Sequence, residues 1–291
     1  MRSLVLRLVS HSINFEEARV NVTKLQEVKD FWNAESCGER HAEGASQIER
    51  FRSQEELRYQ LEPYIIDFAR FDDFERLDVL EIGVGYGADH SRIARSEPNS
   101  LIGVDLTERA IENTKTRLDV LGLKSDLKVD NAENLSFEDE SFDAVYSWGV
   151  LHHSPNTEKC FAEVFRVLKP GGFGKIMIYH KYAPIGWMLW LRYGLAKFRP
   201  FVGMKDIYSS YLESPGTKAY SVKEARYLCG SFSHFEVGIE LSSGDLLEGD
   251  AGDRHKGPLL SMARVIYPRF LIRFLSRFVP IGLFMLITVK K

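Results

Sequence analysis

The chain has 291 residues, of which 44% are hydrophobic and 27% charged, a composition typical of a water-soluble globular domain with an added lid. Its net charge of −3 excludes a global electrostatic attraction to nucleic acid. The three cysteines, Cys37, Cys160 and Cys229, are widely spaced without a paired metal spacing, which predicts reduced thiols in a cytoplasmic protein.

Neither end of the sequence predicts a membrane anchor. The N-terminal MRSLVLRLVS is interrupted by Arg7, and no small-residue cleavage site follows it, so it is a poor signal peptide. The C-terminal FVPIGLFMLITV is too short to span a bilayer and contains Pro280 and Gly282. We therefore expect a soluble protein.

The first segment, residues 1–75, predicts a helical cap. Within FRSQEELRYQLEPYIIDFARF, an interruption is expected near Pro63. Apolar residues at helical spacing predict one buried face, formed by Leu57, Leu61, Ile65 and Phe68.

Residues 76–180 alternate between short apolar runs and helical patterns. The runs RLDVLEIG, SLIGVDLT, DLKVDNA, FDAVYSWGV and GGFGKIMIYH predict five strands. Helical periodicity in ADHSRIARSE, ERAIENTKTRLDVLGL and NTEKCFAEVFRVL fills the intervals. Alternating strands and helices predict a parallel sheet with helices on both faces.

The alternation stops after residue 180. Residues 181–232 are rich in aromatic residues and predict a lid that binds the acceptor, with Ser221 as the N-cap of a helix. Residues 233–291 contain two further apolar runs, HFEVGIELS and GLFMLITVKK, which bring the strand count to seven.

The stretch VLEIGVGYGADH, residues 79–90, predicts a strand, a glycine-rich turn and a helix N-terminus, the arrangement of an adenosine-binding loop. Asp105 ends the second strand, where a carboxylate can accept hydrogen bonds from a ribose diol. Both features fit a nicotinamide dinucleotide and S-adenosylmethionine equally well. Glu81 separates the two, because a carboxylate beside the turn repels a pyrophosphate and attracts sulfonium and ammonium groups.

At this point the chain resembles the class I S-adenosylmethionine-dependent methyltransferases, specifically the small-molecule, type 11-like group with an L-H-H segment after strand four. The matching motifs are VLEIGVGYG, GVDLTERAI, NAENLSFEDESFDAVYSWGVLHH and FRVLKPGG. The resemblance implies a Rossmann-like, doubly wound α/β fold with a seven-stranded sheet, mostly parallel with an antiparallel last strand.

The resemblance also implies cofactor contacts by position. They comprise Glu81, Gly83 and Gly85 at the methionine end, Asp105 at the ribose, Leu106 on the adenine, Asn131, Ala132 and Glu133 after strand three, and Ser147 and Trp148 beside the methyl group. Asn131 departs from the usual Asp, although its amide oxygen can still accept from the adenine amino group. The sequence SWGV replaces the [D/N]-P-P-[Y/F] motif of nucleic-acid amino-methylating members, which argues against nucleic acid as the acceptor.

Three residues are candidates for a general base or an orienting group: His180, His153 and Tyr182. An imidazole can take a proton near neutral pH, whereas capping or packing of a helix start is the competing role for His153. Polar tips in the lid, on Tyr208, Tyr211, Lys218 and Tyr220, are further candidates for substrate contacts. The segments FWN and SCGER, residues 31–33 and 36–40, are candidates for a cover over the cofactor.

A basic amphipathic pattern occupies residues 262–279. Arg269, Arg273 and Arg277 recur every four residues, each followed by a phenylalanine. A solvated face beside a core-facing one explains this pattern, and contact with a membrane surface or an anionic, lipid-like acceptor is the alternative.

The sequence therefore predicts a metal-independent methyltransferase that uses S-adenosylmethionine to methylate a small-molecule acceptor, apolar or lipid-like given the aromatic lid. The in-line displacement needs alignment and exclusion of water more than acid catalysis. The alternative is a cyclase or lyase that consumes the aminobutyl chain of the cofactor. A nicotinamide oxidoreductase and a binding protein with a vestigial pocket are disfavoured by the intact motifs.

Overall fold

The computed structural model describes residues 21–248 and 267–291. Residues 1–20 of the predicted cap and residues 262–266 of the predicted basic segment lie outside the described residues. Within the described ranges, none of the helices combines the length and the apolar character that crossing a bilayer requires.

The described strands form one seven-stranded sheet. They are β1 Asp78–Ile82, β2 Ser100–Asp105, β3 Asp126–Val129, β4 Phe142–Trp148, β5 Leu168–Tyr179, β6 His234–Glu240 and β7 Phe284–Lys290. The order is β3-β2-β1-β4-β5-β7-β6, and β7 runs antiparallel to both of its neighbours while β1 to β5 are parallel. The predicted Rossmann-like sheet with an antiparallel last strand is thereby confirmed.

Helices occupy the connections between the strands. They are α1 over residues 21–34, α2 Gln47–Leu61, α3 Tyr64–Ala69, α4 Ala88–Arg95, α5 Glu108–Leu121, α6 Thr157–Val167, α7 Pro184–Tyr193, α8 Met204–Tyr211, α9 Val222–Leu228 and α10 Arg269–Leu275. Ser221 caps α9 as predicted, and Glu224 completes a capping box with it. The division into four segments at residues 75, 180 and 232 stays a prediction.

The sheet is covered on both faces because neighbouring residues of each strand point in opposite directions. On β1, Leu80 joins a cluster with α6 and α9, whereas Val79 packs with Phe74 and Ile65 on the other side. Each of these four side chains is fully buried. Fixing β1 from both sides fixes the position of the loop that follows it.

The buried face of α2 differs from the predicted one. Of the predicted face, Ile65 on α3 is buried, whereas Leu57, Leu61 and Phe68 are half-buried. On α2 the buried residues are instead Phe51 and Gln54. The reason is Arg117 on α5, a fully buried side chain that donates hydrogen bonds to Gln54 Oε1 at 2.8 Å and to the Phe51 carbonyl at 3.1 Å. A buried guanidinium needs acceptors, and apolar periodicity alone does not reveal them. The predicted interruption is present, since α2 ends at Leu61 and α3 begins at Tyr64.

Candidate functional site

A cavity of about 250 Å³ opens at the carboxyl ends of the parallel strands. It lies where β1 and β4 are neighbours, because the chain leaves β1 toward β2 on one side and leaves β4 toward β5 on the other. Ligands of open α/β sheets bind at such a switch in strand order. The cavity therefore sits where a doubly wound fold places its ligand.

The glycine loop forms the floor of this cavity. Gly83, Gly85 and Gly87 all have positive φ angles, of 88°, 56° and 80°. A Cβ atom on Gly83 would lie 2.0 Å from Val150 Cγ2, so a side chain cannot be accommodated there. Gly87 is the N-cap of α4, whose first backbone N–H groups accordingly lie beside the loop.

Asp105 ties the loop to the end of β2. Its Oδ2 accepts from the Gly85 backbone N–H at 3.2 Å, and its Oδ1 accepts from the backbone N–H and hydroxyl of Thr107 at 3.0 and 2.9 Å. Burial raises the pKa of Asp105 despite these donors. Thr107, not Asp105, is the N-cap of α5. Because Oδ2 receives only one of these hydrogen bonds, it can accept another from a ligand hydroxyl.

Glu81 lines the cavity at the end of β1, and its carboxyl group also contacts a buried histidine, His90. Its Oε2 lies 2.7 Å from His90 Nδ1, and His90 Nε2 lies 2.8 Å from Ser125 Oγ. Burial raises the pKa of Glu81, against the hydrogen bond from His90. His90 was not anticipated from the sequence, since nothing in the glycine motif requires a histidine at that position.

A buried charge network, also unanticipated, joins the N-terminal helices to α4. Asp89 accepts from Arg58 Nε at 2.9 Å and Nη2 at 2.6 Å, from the Tyr59 hydroxyl at 3.0 Å and from the Tyr146 hydroxyl at 2.8 Å. Burial opposes ionisation of Asp89, but the charge and hydrogen bonds of Arg58, together with the hydrogen bonds from the Tyr146 and Tyr59 hydroxyls, outweigh it and lower the pKa. The position of Asp89 in the first turn after the glycine loop was the available signal.

The loop after β3 contains three of the predicted cofactor contacts, Asn131, Ala132 and Glu133. Asn131 and Ala132 line the cavity together with Leu106, whereas Glu133 does not. The Glu133 carboxylate instead accepts from the Ser154 hydroxyl and from the Asn156 backbone N–H. The predicted contact through Glu133 is therefore not brought to the cavity wall.

Of the two cofactor contacts predicted at the end of β4, only Trp148 lines the cavity, and Ser147 does not. Trp148 lines the cavity, with the Arg58 guanidinium 5.9 Å from its ring centroid. Ser147 is fully buried and donates to the Ile82 carbonyl at 2.9 Å, outside the cavity lining. This alternation follows from the strand itself, since successive side chains point to opposite faces.

Of the three predicted catalytic residues, only His153 lines the cavity. Its Nδ1 lies 2.8 Å from Ser214 Oγ and 3.1 Å from Thr217 Oγ1, and burial lowers its pKa to about 3. His180 is buried away from the cavity, with Nδ1 3.1 Å from the Gly282 carbonyl. Tyr182 is exposed and packs edge-on against His180.

The lid reaches the cavity through a residue that the sequence did not single out. Glu213, between α8 and α9, lines the cavity, whereas none of the four predicted lid contacts does: Tyr208, Tyr211, Lys218 and Tyr220. Trp32 and Cys37, from the FWN and SCGER segments that were predicted to cover the cofactor, also line the cavity, and the Trp32 ring packs against His153.

Comparison with known proteins identifies the family to which the central part of the chain is similar. Residues 79–172 match the family model described as "Methyltransferase domain". The phthiotriol/phenolphthiotriol dimycocerosates methyltransferase of Mycobacterium tuberculosis is 42% identical over 96 residues, covering 33% of this chain and 35% of that protein. Residues 79–172 therefore form a methyltransferase domain, and the predicted resemblance to the class I S-adenosylmethionine-dependent methyltransferases is confirmed for this part of the chain.

Two further similarities concern another curated relative and the fold. The fatty-acid O-methyltransferase of Mycolicibacterium smegmatis is 35% identical over 122 residues, covering 42% of this chain and 43% of that protein. A chain from the complex of the Trm112 methyltransferase activator with a methyltransferase of Haloferax volcanii shares the fold, with 17% identity, a TM-score of 0.56 and coverage of 90% and 96% of the two chains. The match to the first curated relative spans about a third of its length.

Proposed function

We propose that this protein transfers a methyl group from S-adenosylmethionine to an apolar, lipid-like small molecule. The observation that carries the proposal is one cavity at the β1/β4 switch whose wall combines the glycine loop, Glu81 and Asp105 within a methyltransferase domain. The alternative, a cyclase or lyase, would bind the cofactor against the same residues, the glycine loop, Glu81 and Asp105, but would release different products.

The residues present fit S-adenosylmethionine by charge. Five carboxyl groups besides that of Glu213 line the cavity, those of Glu62, Glu81, Asp89, Asp105 and Asp130, whereas Arg58 is the one Lys or Arg among the described lining residues. An acidic wall favours the sulfonium and ammonium groups of the cofactor and disfavours a pyrophosphate. When bound, the cofactor supplies an electrophilic methyl group; the protein aligns it and excludes water.

The apolar character of the acceptor is supported by the other half of the cavity. Trp148, Met177, Tyr179 and Phe284 line it from β4, β5 and β7. The names of two relatives refer to lipids, a phthiotriol dimycocerosate and a fatty acid. Both observations support a hydrophobic acceptor for this chain, with only a few polar groups to orient it.

An exposed apolar surface near the same edge of the sheet supports delivery of such an acceptor from a membrane. Phe198 and Phe201 are 95% and 98% exposed, and residues 184–201 contain three basic residues and no acidic one. Phe270 on α10 is 84% exposed in a second segment of the same character. Asp245 connects the two segments, since its side chain accepts from the Ile185 N–H and its carbonyl from the Tyr267 hydroxyl.

These two segments flank the cavity edge because α7 follows β5 and α10 precedes β7, and Tyr179 at the end of β5 pairs with Phe284 at the start of β7. Exposed aromatic side chains beside arginine and lysine match the headgroup region of an anionic bilayer. Membrane contact through the described part of 262–279 is therefore proposed together with the lid surface.

The membrane contact predicts a loss of vesicle binding when the lid aromatics are made acidic. The double variant Phe198→Asp/Phe201→Asp is expected to bind phosphatidylglycerol vesicles at least ~10-fold more weakly than wild type, because two apolar anchors worth about 1.5–3 kcal/mol each are removed. Co-sedimentation measures this, with the 74% exposed Tyr227→Asp as the matched control. Equal binding of both variants would contradict the proposal.

The reaction itself is tested by binding and product analysis. Calorimetric titration is expected to show micromolar binding of S-adenosylmethionine and S-adenosylhomocysteine and none of NAD. Incubation with methyl-labelled S-adenosylmethionine and a total lipid extract is expected to give S-adenosylhomocysteine and labelled lipid, also in the presence of EDTA. Formation of methylthioadenosine instead would favour the cyclase or lyase, and tight binding of NAD alone would reject both.

A further inference from the structure

The half of the cavity that faces away from the glycine loop contains two carboxyl groups among aromatic walls. Glu62, which follows the last residue of α2, and Glu213, from the lid, both line it beside Trp148, Tyr179 and Phe284. Neither carboxyl belongs to the predicted cofactor contacts. An apolar pocket with a few polar groups is built to orient one polar group of its ligand.

Glu62 is the less satisfied of the two carboxyl groups. Its Oε2 atom is buried and has no hydrogen-bond partner, and the nearest cation, Arg58 Nη1, lies 3.7 Å away. The Arg58 guanidinium is already engaged by both oxygens of Asp89. A buried acceptor without a donor is costly, so a ligand that donates a hydrogen bond to Oε2 is stabilised there.

Glu213 is fixed by its neighbours. Its Oε2 accepts from the Tyr179 hydroxyl at 2.6 Å and lies 3.4 Å from His153 Nε2. Burial lowers the pKa of His153 to about 3, so this imidazole is neutral at physiological pH. Among the described residues lining this half, Arg58 is therefore the only cation, and Asp89 neutralises it.

Three kinds of polar group on an acceptor would behave differently in these surroundings. A carboxylate would be repelled by Glu62 and Glu213 with no unpaired cation to receive it. An amine would be held as an ammonium ion by the two carboxyl groups, and an ammonium nitrogen has no lone pair for attack. An uncharged hydroxyl group keeps its lone pairs and has one proton to donate.

We propose that this half of the cavity binds the hydroxyl group of an otherwise apolar, uncharged alcohol, that the hydroxyl donates its hydrogen bond to Glu62, and that free carboxylic acids are excluded as acceptors. The inference rests on the proposed methyl transfer. The hydroxyl oxygen forms the new bond to the methyl carbon, the bond from that carbon to sulfur breaks with its electron pair remaining on sulfur, and the hydroxyl proton passes to Glu62. The products are a methyl ether, S-adenosylhomocysteine and protonated Glu62.

Ligands of one chain length separate the three possibilities. With S-adenosylhomocysteine present at pH 7.5, 1-decanol is expected to quench tryptophan fluorescence with at least ~10-fold higher affinity than decanoate. Glu62→Gln, which keeps the side-chain shape, should reduce this preference at least ~5-fold. Glu56→Gln, an exposed position on α2, serves as the control. Equal or tighter binding of decanoate, no binding of 1-decanol, or methylation of decylamine without methylation of 1-decanol would each overturn the proposal.

A second readout concerns Glu62 without any acceptor. Burial raises the pKa of Glu62 from 4.5 to about 7. Arg58 and a hydrogen bond from the Trp148 side chain oppose the shift, whereas Asp89 and Glu213 add to it. Between these pH values the folded protein binds more protons than the unfolded chain, so ionisation of Glu62 destabilises the fold as pH rises through about 7. Glu62→Gln removes this ionisation, and its melting temperature relative to wild type is expected to rise between pH 5 and pH 8.

The outcomes of the two proposals are distinguishable. A protein that binds S-adenosylhomocysteine but prefers decanoate, or whose Glu62→Gln variant shows no pH-dependent change in relative melting temperature, loses only the alcohol subsite. A protein that fails to bind S-adenosylhomocysteine loses the proposed function itself.

Discussion

Asp105→Ala is expected to weaken the binding of S-adenosylhomocysteine by about 10- to 150-fold. A hydrogen bond to a charged acceptor contributes about 1.5–3 kcal/mol, and Asp105 Oδ2 is placed to accept one from a ribose hydroxyl. The same substitution leaves the Gly85 N–H without its acceptor, which loosens the loop that would contact the ligand. Isothermal titration calorimetry measures the affinity, and circular dichroism checks that the variant is folded.

Two controls separate ligand contact from loop support in this experiment. Thr107→Val removes the hydroxyl donor to Asp105 and the cap of α5 while keeping the carboxylate, so it should lower stability by about 1 kcal/mol with less than about a 3-fold change in affinity. Asp126→Asn, an exposed site at the start of β3, should change neither. An Asp105→Ala variant that binds S-adenosylhomocysteine within about 2-fold of wild type would show that this carboxylate does not hold the ligand.

The sheet was predictable because strands and helices follow simple periodicities. Each of the seven apolar runs became a strand, and the caps at Ser221 and around the glycine loop are local features that a few neighbouring residues determine. Gly83 was likewise predicted from the local glycine motif, and the structure gives it the positive φ angle that such a turn requires. Such features depend on short stretches of chain.

The part of the cavity proposed to bind the acceptor was not predictable, because its residues come from distant parts of the chain. Glu62 precedes the first strand and Glu213 follows the fifth, and no spacing in the sequence connects them. Conversely, His180 follows an apolar strand, where a residue of a binding site is expected. Its ring instead contacts the Gly282 carbonyl, which lies 102 residues later in the sequence. Alternation within β4 similarly separated Ser147 from Trp148, a distinction that the motif match did not make.

Arg58→Met is expected to lower the free energy of unfolding by about 3–5 kcal/mol, the cost of breaking a buried ion pair from one side. The variant would leave the Asp89 carboxylate buried with only the hydroxyl groups of Tyr59 and Tyr146 as donors. Because the charge and hydrogen bonds of Arg58 lower the pKa of Asp89 against the effect of burial, its loss should raise that pKa. Stability should then fall less steeply than in wild type as the pH decreases, since the depressed Asp89 pKa that gives wild type its acid-labile stability is lost in the variant.

Urea denaturation of the single and double variants tests whether the pair, rather than either residue, fastens α2 to α4. If it does, Arg58→Met/Asp89→Asn should be more stable than the sum of the two single effects predicts, because the second substitution removes the unpaired charge that the first one leaves. Arg52→Met, an exposed site on the same helix, should change the unfolding free energy by less than about 0.5 kcal/mol. Strict additivity would instead mean that the two side chains stabilise the fold independently, and that α2, with Glu62 at its end, is positioned over the cavity by other contacts.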